Sequence, residues 1–293
     1  MDSAFDTLEN DQLKVSLLLP GSGYQRSRYD WSGMVEQVTC NGHTFLSKER
    51  NASGGIGLGG IGLSNVFEWK DTSLYDSTEF ADCFPILGVG CLKKTDTIPF
   101  LFTHDYPVLP FKHKVERSNQ CITIHTFPYL CHGIAADMKK SYSLNGNTLI
   151  MTYEIKNTGP SEIHATEFCH NFFCFDQQSI DSHYRIEFPY VIEPKLRRGQ
   201  LIVEPSAYRL GAFDTDTEST AFWIHGWTGL QSHWMRITHD LLGLSVLIED
   251  DIPICNFYSW NNPYAFCPEV FAPIDLEPGQ SLTYTRRYTF ENS

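Results

Sequence analysis

Two segments of the 293-residue chain each set one ionisable group among aromatic rings. The first is Phe168-Cys169-His170-Asn171-Phe172-Phe173-Cys174-Phe175. The second is Tyr258-Ser259-Trp260-Asn261-Asn262-Pro263-Tyr264-Ala265-Phe266-Cys267-Pro268-Glu269. Burial against apolar rings raises the pKa of a carboxylic acid and lowers that of a histidine. Groups displaced in this way suit proton removal and proton donation near neutral pH. Taken singly, each is read as plainly as a core histidine or a surface carboxylate, and composition alone favours that reading.

Other chemical signals are thinner. Gly55-Ile56-Gly57-Leu58-Gly59-Gly60 fits G-x-G-x-x-G, but a dinucleotide site needs a strand before it and a helix after it. The residues before it, Lys48 to Ser53, are polar and charged, and Asn65-Val66-Phe67-Glu68-Trp69 after it is no helix start. The motif therefore reads as a glycine-rich loop near the rim of a site. Glu167-x-x-His170 has the spacing of half a di-iron helix motif. Its surroundings alternate like a strand, which sends the two side chains to opposite sides. The same alternation separates Cys169 from His170 and argues against a Cys–His nucleophile pair. His43, His113 and His125 read as surface or satisfied core histidines, so no metal site is read. Nine cysteines, an odd number without C-x-x-C, form neither a disulfide framework nor a zinc ribbon. They read as reduced, buried cysteines of a cytoplasmic protein.

The elements that must position these groups are strands. In 149–156, Leu149, Met151, Tyr153 and Ile155 share one face and Thr152, Glu154 and Lys156 the other, between turns at Asn145-Gly146-Asn147 and Asn157-Thr158-Gly159-Pro160. After the turn Glu277-Pro278-Gly279-Gln280, residues 282, 284, 286, 288 and 290 alternate with threonines and Arg287. Further strands are expected at 13–19, 34–39, 121–127, 163–173, 200–204, 221–225, 243–249 and 254–260. The pattern predicts a large antiparallel all-β sandwich. With no Pro/Ser-rich linker and no internal repeat, residues 1–293 are expected to form one domain. The charge, 22 basic against 35 acidic side chains or −13, argues against a broad nucleic-acid surface. An apolar content of 42% with 14% aromatics argues against disorder. The longest apolar runs, such as Leu17-Leu18-Leu19, fall far short of the ~20 residues of a membrane helix. Met1 is not followed by a basic and then apolar stretch, so no secretory signal is read.

The ordered set of motifs resembles the galactose mutarotase-like (aldose 1-epimerase) superfamily. The resemblance rests on Tyr153-Glu154-Ile155-Lys156-Asn157, then His170-Asn171-Phe172-Phe173, then Glu269, the turn Pro278-Gly279-Gln280-Ser281 and the closing Tyr288-Thr289-Phe290. Order and spacing hold over roughly residues 120–290, and Asp30-Trp31-Ser32-Gly33-Met34-Val35 fits the early strand pair more loosely. The resemblance implies a β-supersandwich and no cofactor. It makes His170 the general acid that protonates the sugar ring oxygen and Glu269 the general base that takes the anomeric proton. It also implies substrate contacts from His104, Arg28 and an aspartate between acid and base. Asp214, Asp216 and Asp240 are candidates for that aspartate, with Asp216 taken as the working choice. Trp260 and Phe172 offer faces to stack on a sugar. Around His104 the family's glycine is replaced by Asp105 and its arginine is missing, which bears on sugar selectivity. The implied partner is a small-molecule sugar, with neither nucleic acid nor membrane, and the oligomeric state is open. The rival is a non-catalytic carbohydrate-binding module on the same sandwich. A glycosidase or lyase of this type carries extra helical domains for which the chain has no room.

Overall fold

The computed structural model describes residues 5–50, 57–213, 219–226 and 232–292. Two ten-stranded antiparallel sheets face each other, with a three-stranded sheet beside them. Helix is confined among the described residues to Ser73–Ser77 and a single 3₁₀ turn at Phe175–Gln177.

The sheet that carries the site runs in the spatial order Phe5–Glu9, Leu13–Leu18, Met34–Cys40, Leu63–Trp69, Ile163–Asn171, Ala265–Leu276, Asn256–Asn262, Thr220–His225, Glu193–Arg198. The facing sheet includes Ala136–Asn145, Thr148–Asn157, His233–His239, Leu244–Asp250 and Ser281–Asn292. Every expected strand is present. Leu149, Met151, Tyr153 and Ile155 point inward as their alternation requires and are buried. They meet Val15, Val38, Phe67, Ala165, Phe257 and Ile274 of the site sheet in one core. Each of the buried Val, Leu, Ile, Phe and Met side chains among them contributes about 1.5–3 kcal/mol through burial.

One inward position breaks the apolar rule. Arg286 sits on the buried face of the last strand, where it pairs with Glu167 and Asp250, both fully buried. Tyr284 donates to Glu167 Oε2 at 3.0 Å, and the Tyr153 and Tyr284 rings stack at 4.6 Å. Glu167 thus faces the core while His170 faces out. Cys169 also points inward, and all nine cysteines are free. Among the described residues no helix is long and apolar enough to cross a membrane.

Two strands central to the site escape a pattern search. Ala265–Leu276 is buried on both faces through most of its length and contains Pro268 and Pro273. Leu63–Trp69 is buried on both faces over its first five residues. A strand covered on both sides loses the period-2 signal, and proline speaks against a central strand. The Pro268 carbonyl, beyond the last backbone pair between these strands, accepts from Asn171 Nδ2 at 2.6 Å.

Candidate active site

Register brings the two ionisable groups together. The strands Ile163–Asn171 and Ala265–Leu276 pair antiparallel with Phe168 opposite Phe271. Two residues further along, His170 falls level with Glu269 on the same face. Their side chains meet, with His170 Nε2 3.1 Å from Glu269 Oε1. One step below, Phe168 and Phe271 stack at 4.2 Å and floor the site.

The face continues across the sheet by cross-strand pairing. Tyr258 stands opposite Glu269, and Trp223 opposite Tyr258. With Arg28, Glu68, Phe102, Trp260, Arg197 and Arg198 these residues line a cleft of about 560 Å³. That size suits a small organic ligand. The His170 ring stacks on Phe172 at 4.3 Å and meets Tyr29 and Trp260 edge-on at 6.1 and 6.0 Å. His170 Nδ1 is buried without a hydrogen-bond partner.

This packing sets the protonation. Burial, with the positive charge of Arg28 adding to it, pushes the His170 pKa down to about 3. Burial raises Glu269 well above the carboxylate range, against a smaller opposing pull from Arg28. Burial thus works against the charged form of both groups and favours a single proton shared by the pair over a separated ion pair. Two neighbouring groups displaced in opposite directions are suited to passing a proton between themselves and a bound ligand.

Arg28 lies in the cleft wall, its side chain 12% exposed, with Nη1 2.6 Å from Glu68 Oε1 and its guanidinium 4.4 Å from the centre of the Phe102 ring. Its loop is clamped by Asp105, which accepts from Arg26 Nε at 2.9 Å and from the Ser27 amide at 3.3 Å. Asp105 thus holds the Arg28 loop in place. His104 sits elsewhere. It lines an adjoining aromatic cavity of about 240 Å³ behind Arg28, Glu68 and Phe102, against Tyr106 and Thr95, and outside the cleft of His170 and Glu269. Trp260 lines the cleft. Asp214 and Asp216 lie outside the described residues, and Asp240 pairs with Arg209 at 2.7 Å away from the cleft.

The glycine-rich loop reaches the rim through Leu58, a cleft residue, while Gly55 and Ile56 lie outside the described residues. Glu49 fastens that loop by accepting from the Leu58 and Gly60 amides and from the Tyr29 hydroxyl. Sequence reading missed Glu49, Glu68, Tyr29 and Trp223 as site residues. Only Trp223 left a trace, as an aromatic in the alternating stretch 221–225. Among the described residues no three His, Cys, Asp or Glu side chains converge to hold a metal ion.

Solved structures share this architecture over whole chains. A protein from Synechocystis sp. PCC 6803 matches with a TM-score of 0.60 at 13% identity, covering 100% of this chain and 97% of its own. A galactose mutarotase related enzyme from Lactobacillus acidophilus matches with a TM-score of 0.57 at 12% identity, covering 98% and 97%. The GalM/aldose epimerase homologue from C. elegans matches with a TM-score of 0.52 at 13% identity, covering 98% of each. No protein-family model matches the chain, and no curated protein matches it in sequence. The fold is the galactose mutarotase-like antiparallel β-sandwich.

Proposed function

We propose that the protein is an aldose 1-epimerase-like mutarotase that interconverts the anomers of a hexose or related sugar. The observation that carries this reading is the buried His170–Glu269 pair, 3.1 Å apart at the floor of an aromatic cleft. The anomeric hydroxyl oxygen and the ring oxygen share one carbon, so neighbouring acid and base groups reach both at once.

Ring opening removes the proton from the anomeric oxygen and delivers one to the ring oxygen as the bond from C1 to that oxygen breaks. The electron pair left on the anomeric oxygen forms the aldehyde. Glu269 takes the first proton and His170 supplies the second. Rotation about C1–C2 presents the other carbonyl face, and the reverse transfers close the ring as the other anomer. Glu269 protonated with His170 neutral is thus both the form burial favours and the form left after ring opening. Desolvation raises the energy of the charged starting pair relative to this product. Trp260, Tyr258 and Trp223 offer ring faces to the sugar, and Arg28 donates to its hydroxyls.

A binding module needs no such pair, because opposed burial of two titratable groups destabilises the fold without adding a contact. Polarimetry on a panel of aldoses, run beside a binding titration, separates the readings. The expected result is faster anomer exchange on at least one sugar, lost in His170→Asn. Binding without acceleration on any sugar selects the module.

A further inference from the structure

The edge strand Glu193–Arg198 pairs with Thr220–His225 through Lys195 opposite Trp223 and Leu196 opposite Phe222. The register then slips, and Arg198 stands opposite Ala221. On a regular strand Arg197 and Arg198 would point to opposite faces, but a bulge re-aims a side chain. Here both arginines line the cleft.

Their isolation sets them apart. The chain has eleven arginines. Eight of them pair with carboxylates: Arg26, Arg28, Arg117, Arg185, Arg209, Arg236, Arg286 and Arg287. Arg50 lies 5.1 Å from the centre of the Tyr264 ring. Arg197 and Arg198 alone among the described arginines have neither a carboxylate nor a ring partner among the described residues. The other cleft charges are committed. Glu68 pairs with Arg28, Glu49 is held by the Tyr29 hydroxyl and two amides, and Glu269 is in contact with His170. Among the described residues that line the cleft, Arg197 and Arg198 are thus the cations left free to meet a ligand anion.

We infer that the substrate is an acidic sugar whose oxyanion, a phosphate or a carboxylate, is held by Arg197 and Arg198 at the end remote from the anomeric carbon. The placement fits. Three strand spacings, about 14 Å, separate the Glu269 strand from the arginine strand. A hexose with its anionic group on the carbon farthest from C1, met by an extended arginine side chain, bridges that span. Paired guanidinium forks match the oxygens of either anion. The inference rests on the mutarotase reading for the placement of C1, but the anion site can be read separately.

The test measures anomer exchange by NMR, with titration calorimetry alongside, on glucose, galactose, glucose 6-phosphate and glucuronate. It compares the parent with Arg197→Ala/Arg198→Ala and with Arg197→Lys/Arg198→Lys. The parent is expected to favour at least one acidic sugar over the neutral ones by about 10- to 100-fold in kcat/KM at low salt. The double alanine variant collapses that ratio through KM, and the lysine pair restores part of it. Preference for glucose 6-phosphate identifies the phosphate, and preference for glucuronate the carboxylate. A parent ratio near one, or a ratio the alanines leave unchanged, overturns the inference. If no sugar exchanges faster, the calorimetry decides. Acid-selective binding lost in the alanine variant upholds the anion site and discards the catalytic reading, whereas its absence discards both.

Discussion

Replacing Glu269 by glutamine separates chemistry from fold. Glutamine matches glutamate in size, and the side chain is 5% exposed, so the packing against His170 and Tyr258 is retained. The variant loses the group that accepts the anomeric proton. Positioned acid–base groups supply about 10²–10⁴ in rate, and paired groups fail as a unit, so a loss of about 10³-fold or more in kcat is expected, near 4 kcal/mol. Stability should move the other way. The folded-state pKa of Glu269 lies above its unfolded value, so its contribution is present below pH 4.5 and lost as pH rises through the folded value. Each unit of that rise costs about 1.4 kcal/mol at neutral pH, and glutamine escapes the cost. The melting temperature of E269Q at pH 7 should therefore exceed that of the parent by about 2 °C or more, with the gap closing toward pH 4.5. Polarimetry and scanning calorimetry on the same samples read both quantities. Undiminished exchange would refute the assignment of Glu269. A large fall in melting temperature beside lost activity would refute the claim that its burial is a strain kept for chemistry.

The pair should also write its own pH profile. Below about pH 3 His170 gains a proton and no base remains, whereas above the raised value of Glu269 no proton remains to donate, so kcat should hold steady at pH 4. A loss of kcat as pH drops through 6.5, the ordinary value of an exposed histidine, would contradict this. His233 is buried among Phe188, Tyr190 and Phe257 with its pKa pushed down to about 3 by burial and by Arg286, so the unfolded chain takes up a proton first as pH falls below 6.5. Between pH 7.5 and 5 this should remove about 2 kcal/mol of stability in the parent and nothing through this site in His233→Gln, as read by urea unfolding. An identical slope in both would exclude the histidine as its source. Gly62 has φ +47°, and a Cβ there would stand 1.9 Å from the Val35 carbonyl oxygen. Gly62→Ala should lose about 3 kcal/mol or more, and a loss under about 1 kcal/mol in the same assay would show that the loop yields freely.

Alternation made the sandwich legible where a strand has one wet face. It set Glu167 and His170 on opposite faces of their strand. It failed on Ala265–Leu276, since cover on both faces erases the period and Pro268 reads as a break. Glu269 was therefore reached through its aromatic neighbours and the family resemblance, not through its strand. Arg28 was legible only as an early arginine. Its burial depends on Glu68 and Phe102, distant in sequence, and its loop on Asp105. The pairing of distant strands is written in no local pattern, and neither is a bulge that turns two consecutive arginines toward one face.

The same strand explains why an ionic cluster sits in the core behind the cleft. From Glu167 to His170 the side chains alternate between core and cleft, so a slip of one residue would bury His170 between the sheets and turn Glu167 and Cys169 outward. Apolar neighbours alone police such a slip weakly here, because Phe168, Phe172 and Phe173 would satisfy either face. Arg286 does so strictly. It reaches Glu167 from the opposite sheet and is bound to Asp250 on the next strand, so a slipped register would break the Arg286–Glu167 half of this buried cluster. Breaking a buried ion pair costs about 3–5 kcal/mol even where the intact pair adds little net stability. Asn171 adds a second lock, its amide on the Pro268 carbonyl and its side-chain oxygen accepting from the Tyr288 hydroxyl at 2.9 Å. Two polar contacts on the inner face thus fix the register that sets His170 opposite Glu269 on the outer one.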